Sequence, residues 1–92
     1  MATLNFTKED DKYVATFKAE TSFNLHIEQR GAIVKMSQTS VEGTDYAYVR
    51  ALNESKFDSV IDTAVIVPIP PVWIRIVSKV EPTMAIVTYP QA

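Results

Sequence analysis

One histidine, His26, and no cysteine limit the chemistry this chain can do through imidazole or thiolate. A nucleophilic triad would need His26 beside a Ser or Thr and a carboxylate. No nucleophile elbow or comparable context occurs in the sequence. Without thiolates, a zinc site would need several histidines or carboxylates converging on the same ring. His26 alternates, with Asn24 and Glu28, against Phe23, Leu25 and Ile27, which puts it on the outward side of a strand. The reading preferred for His26 is therefore an ordinary solvent-facing strand residue.

Carboxylates give two further candidates. Glu9-Asp10-Asp11 is the densest acidic cluster, and calcium sites use flexible oxygen ligands of this kind. The EF-hand spacing is missing, and Lys8 and Lys12 flank the cluster, so a solvated hairpin tip explains it better. Asp58 and Asp62, four apart, would share a face of a strand and suggest the paired carboxyls of a glycosidase. Such enzymes need a cleft walled by loops, which a 92-residue chain with short loops has little material to build. Catalytic residues, metal and cofactor are accordingly all expected to be absent, and the protein is expected not to be an enzyme.

The aromatic residues raise a binding question instead. Tyr46 and Tyr48 share one strand face, and Trp73 shares another with Arg75. Exposed rings on a β-sandwich can stack on sugars, which keeps a carbohydrate-binding module as the alternative function. A single tyrosine pair with no third ring in view is read as core packing, with the hydroxyls at the rim.

Side chains alternating in twos run through almost every segment, the signature of strands. The expected strands are Thr3 to Thr7, Lys12 to Ala19, Thr21 to Glu28, Ala32 to Thr39, Tyr46 to Leu52, Val60 to Val67, Val72 to Val80 and Met84 to Tyr89. In the second, Tyr13, Ala15, Phe17 and Ala19 oppose Lys12, Val14, Thr16 and Lys18. Val34 and Met36 are the inward pair of the fourth. In the seventh, Val72, Ile74, Ile76 and Val80 oppose Trp73, Arg75, Val77 and Lys79. Turns are expected at Lys8 to Asp11, at Arg30-Gly31 and at Glu42 to Asp45, and Asn53 to Asp58 reads as a loop in preference to a short helical turn. Pro68, Pro70 and Pro71 cannot donate to a ladder and so belong to a connection, a stiff crossover from one sheet to another. Pro82 marks the turn before the last strand and Pro90 its end. No helical period of about 3.6 residues is sustained. The chain is therefore expected to be all-β: one domain over residues 1–92, an antiparallel sandwich of jelly-roll type with about eight strands.

Composition narrows the partners. Hydrophobic residues make up 47% and charged residues 22%, which suits a folded domain and not a disordered one. A net charge of -2 gives no case for nucleic acid, which calls for a concentrated basic face. The N-terminus lacks a signal-peptide pattern. The longest apolar stretch, Ala64 to Ile74, is short for a membrane span and broken by prolines. A soluble protein made in a cytoplasm is the expectation, with no membrane partner. The segments 60–67 and 72–80 look apolar on both faces, whereas a sandwich buries only one face of each sheet. A homo-oligomer, with a trimer favoured, would cover the rest through Val65, Ile66, Val67, Ile69, Val72, Trp73, Arg75 and Val77.

The run V-W-I-R-I-V-S-K-V-E-P-T-M-A-I-V-T, with S-F-N-L-H-I-E and G-A-I-V-K-M-S-Q before it, resembles small β-sandwich structural proteins of tailed-bacteriophage virions, the capsid decoration and head-fibre-like components. Trp73 to Ser78 followed by Pro82-Thr83 fits their strand and Pro-Thr turn, and the likeness runs from Thr21 to the end. Membership would imply a homo-oligomeric, non-enzymatic virion protein, made in the host cytoplasm and attached to other shell proteins. No catalytic residues carry over.

Overall fold

A computed structural model of the chain describes residues 2–31, 33–40, 46–53, 60–67 and 69–89. The described residues form nine strands and no helix: β1 (Ala2–Thr3), β2 (Thr7–Glu9), β3 (Lys12–Ala19), β4 (Phe23–Glu28), β5 (Val34–Thr39), β6 (Ala47–Ala51), β7 (Val60–Val65), β8 (Val72–Ser78) and β9 (Met84–Thr88). All pairings are antiparallel. One sheet runs β1-β9-β4-β7 and the other β2-β3-β8-β5-β6. Without β2, the neighbours are those of a jelly roll, with most connections passing from one sheet to the other.

Nine strands appear where about eight were expected because the segment Thr3 to Thr7 divides. β1 pairs with β9 and β2 with β3, so the chain changes sheets between them. Leu4 and Phe6 cause the division by packing against the core from the connection itself. The first turn is correspondingly tighter than expected. Lys8 and Glu9 belong to β2, Glu9 pairs with Lys12, and Asp10-Asp11 alone make the loop. Asp10 has φ 58°, a left-handed conformation that Asp tolerates better than most residues. Gly31, with φ 79°, turns the chain between β4 and β5, where a side chain would strain the backbone.

The core lies between the sheets. Phe23, Leu25 and Ile27 of β4, Ile61 and Val65 of β7, and Ala85 and Val87 of β9 meet Ala19 of β3, Val34 and Met36 of β5, and Ile74 and Ile76 of β8. Alternation along each strand turns these residues inward, and burying each large one stabilises the fold by about 1.5–3 kcal/mol. Phe17 and Phe23 pack edge to face at 5.2 Å across the two layers.

Three places depart from simple alternation. Val14 is buried in the outer face, where it stands between Thr7 and Val77 in register. Val80 shares a side with Ile74 and Ile76 in the alternation but is exposed because β8 stops at Ser78, whose hydroxyl donates back to the Val80 carbonyl at 2.7 Å. Tyr46 and Tyr48 leave the core altogether. A bulge between Met36 and Ser37 makes Val49 the extra residue, so Tyr48 stands opposite Ser37. Without the bulge Tyr48 would oppose Gln38, on the side of Met36.

The prolines act as expected where they are described. Pro70 and Pro71 lie in the connection that carries the chain from β7 in one sheet to β8 in the other. Pro82 lies in the connection back, which is also a crossover and not a hairpin. Pro68, Pro90, the Glu42–Asp45 turn and the loop beyond Asn53 fall outside the described residues. Since only three residues link β1 to β2, those two short edges share one flank of the sandwich. The longer edges, β6 and β7, share the other.

Candidate functional site

The outer face of the five-stranded sheet gathers residues that the sequence left on separate strands. Register aligns Thr16 of β3, Arg75 of β8, Ser37 of β5 and Tyr48 of β6 in one row. The next row holds Lys18, Trp73 and Thr39. Tyr46 joins them, because the Arg75 guanidinium lies 5.8 Å from its ring centroid. Lys18 stands at the same distance from the Trp73 ring. Three rings, two cations and three hydroxyl side chains therefore form one patch.

The patch is positioned firmly and paired loosely. β8 is central, with β3 and β5 on its two sides, so Trp73 and Arg75 sit on the best-supported strand of the sheet. The end of β6 is held to β5 by Leu52 N–H donating to the Val34 carbonyl and by Val34 N–H donating to Asn53 Oδ1, both at 2.8 Å. By contrast, Arg75 approaches Glu9 only at 4.0 Å, and Lys18 reaches Glu20 at 3.3 Å between exposed side chains. Such surface pairs contribute about 0–1 kcal/mol. Tyr48 is 60% exposed. Beyond Lys18 the patch runs into an open groove of about 410 Å³ lined by Lys18, Glu20, Thr21 and Tyr89. The Tyr89 hydroxyl donates to the Lys18 carbonyl at 3.2 Å, and burial, reinforced by the charge of Glu20, raises its pKa.

The opposite outer face holds His26. Its ring accepts no isolation: Nε2 meets Glu28 Oε2 at 2.9 Å, and Nδ1 faces Asp62 Oδ2 at 3.7 Å across the β4–β7 pairing. A carboxylate only accepts, so Nε2 carries the proton. Asn24 Nδ2 donates to Asp62 Oδ1 at 2.9 Å. The hydrogen bond to Glu28, with the charges of Glu28 and Asp62, raises the His26 pKa above its ordinary 6.5 against the pull of partial desolvation. His26 does face outward, as alternation required, but it is half-buried and held between two acids. Asp62 is engaged in this cluster, and Asp58 lies outside the described residues. Among the described residues no three His, Asp or Glu side chains group closely enough to hold a metal ion.

The eight residues assigned to an oligomer contact separate into three places. Val65 and Val67 are buried in the chain's own core, and Val72 packs against it. Trp73, Arg75 and Val77 stand half-buried on the outer face of the five-stranded sheet. Ile66 and Ile69 project from the β7–β8 crossover, 75% and 82% exposed. Val67 N–H donates to Ser22 Oγ at 2.8 Å, so the crossover is anchored beside Ile66. Sequence reasoning missed the third ring of the aromatic patch because it had no register with which to bring β6 and β8 together. It also missed Asn53, whose buried side chain was read as part of a polar loop.

Compared with known proteins, the chain matches no protein-family model, no curated protein and no solved structure.

Proposed function

We propose that this protein is a non-enzymatic structural subunit of a virion, which self-associates and attaches to an assembled shell as a decoration or head-fibre-like component. The observation that carries the reading is the pair Ile66 and Ile69, almost fully exposed on a crossover that is anchored at Val67. Covering one such side chain is worth about 1.5–3 kcal/mol. They stand beside β7, which has β4 on one side and no described strand on the other, and an open strand edge is itself a docking surface. The jelly roll adds fold-level analogy, since viral capsid and lectin domains share it.

Mixing the protein with particles that lack it, then pelleting, tests the attachment. Wild type co-sediments with only weak dependence on salt, because a net charge of -2 supplies little steering. Ile66→Lys abolishes co-sedimentation while the melting temperature holds. A wild-type protein that stays in the supernatant would count against attachment. Self-association is read separately by sedimentation at micromolar concentration, where a lone 10.3 kDa species would overturn it.

A second reading has its own observation. Tyr46, Tyr48 and Trp73 on one sheet face provide the three-ring platform that sugar stacking requires, and this supports a carbohydrate-binding module.

A further inference from the structure

We infer that the outer face of the five-stranded sheet binds an oligosaccharide that carries carboxylates, of the uronic-acid class, with Arg75 as the anchor for the acid group. The inference rests on the carbohydrate-binding reading and commits it to one kind of ligand.

Charge separates the two outer faces. Among the described strand residues, the five-stranded sheet presents Lys12, Lys18, Lys35 and Arg75 outward against Glu9, with Glu20 at its margin. The four-stranded sheet presents Glu28 and Asp62 and no Lys or Arg. An acidic ligand is therefore drawn to the face that has the rings. The whole chain remains acidic at -2, so the attraction belongs to the patch and not to the molecule.

Arg75 has the chemistry and the place for an anchor. Its row sets Thr16 on one side and Ser37 and Tyr48 on the other, and its guanidinium carbon lies 5.8 Å from the Tyr46 ring centroid. A planar guanidinium binds a carboxylate with two parallel hydrogen bonds. Its present acid, Glu9, lies at 4.0 Å and is easily displaced by a closer one. Ser37, on the strand between Trp73 and Tyr48, and Thr16, on the far side of Arg75, add short hydroxyl side chains at the scale of sugar hydroxyls. The exposed ring of Tyr48 and the half-buried ring of Trp73 offer apolar surface for pyranose faces. Single-stranded nucleic acid also stacks on rings, but it brings a phosphate about every 3.4 Å of strand and calls for a track of cations. Here Glu9 and Glu20 interrupt any such track.

The test measures binding of the intact protein to polygalacturonate, to the same polymer with its carboxyls reduced to alcohols, and to oligo(dT), at two salt concentrations. Polygalacturonate binds, and the reduced polymer binds at least tenfold more weakly, as the loss of a charge-assisted bidentate contact requires. Arg75→Gln produces a similar loss and Arg75→Lys restores only part of it, whereas Tyr48→Ala weakens both polymers. Glu28→Gln, on the far face, changes neither. Equal binding of both polymers, indifferent to Arg75→Gln, would overturn the acidic ligand and leave the sugar platform standing. Preference for oligo(dT) would overturn both in favour of nucleic acid. Binding of none of the three would remove the platform itself.

Discussion

The outer faces of the two sheets handle polar groups in opposite ways. On the four-stranded sheet, Asn24, His26, Glu28 and Asp62 satisfy one another across β4 and β7, with hydrogen bonds of 2.9 Å. On the five-stranded sheet, the cations rest on rings at 5.8 Å and reach their acids at 3.3 and 4.0 Å. The first arrangement joins strands of the chain to each other. The second leaves donors and ring faces turned outward, where a ligand can use them. A face that has satisfied itself contributes to stability, and the face with exposed rings and loosely paired cations is the one proposed for recognition.

The largest expected effect calibrates both faces. Ile27→Ala empties a site in the core between them and should cost about 2–5 kcal/mol in a denaturant melt. A loss under 1 kcal/mol would mean that the two sheets do not meet as described. Next comes Asn53→Ala, which strands the buried Val34 N–H and should cost about 1–3 kcal/mol. If β6 depends on that bond to present Tyr46 and Tyr48, sugar binding should fall in the same variant.

Tyr48→Ala sharpens the contrast further. At an exposed site its effect on stability should stay within about 0.5 kcal/mol, while binding to polygalacturonate drops. A large stability loss with binding intact would exchange the roles assigned to the two faces.

The smallest effect belongs to His26. Its folded pKa lies above the ordinary 6.5, so its contribution to stability is complete below that value and is lost as pH rises through the raised pKa. Melting temperature should therefore fall slightly from pH 6 to pH 8, and His26→Gln should flatten that part of the slope. A stability that rises through this window by way of His26 would show the ring unpaired in solution.

Much of the architecture was legible because one physical rule, alternation against a two-layer core, governs most of the chain. Phe23, Leu25, Ile27, Val34, Met36, Ile74 and Ile76 are buried where the pattern put them. The crossover role of Pro70 and Pro71 followed from their missing donors. What could not be read depends on partners distant in sequence. Leu4 and Phe6 look like strand residues until a core exists for a connection to cover. One bulge at Met36/Ser37 reverses the direction of two tyrosines, and nothing within β6 announces it. Asp62 lies far from His26 in the chain, and only the β4–β7 register makes them neighbours.

The placement of the long edges has a consequence for how many copies can join. β6 and β7 border the same flank, and the other flank is bounded by strands of only two and three residues. A rod of copies would need adhesive margins on opposite sides of each unit, as bricks need two mortar beds. This molecule has its mortar on one side. If copies pair through these edges, as the proposed self-association requires, pairing on one flank would end in a closed dimer or a small ring, and chain topology would stop growth without a separate terminator.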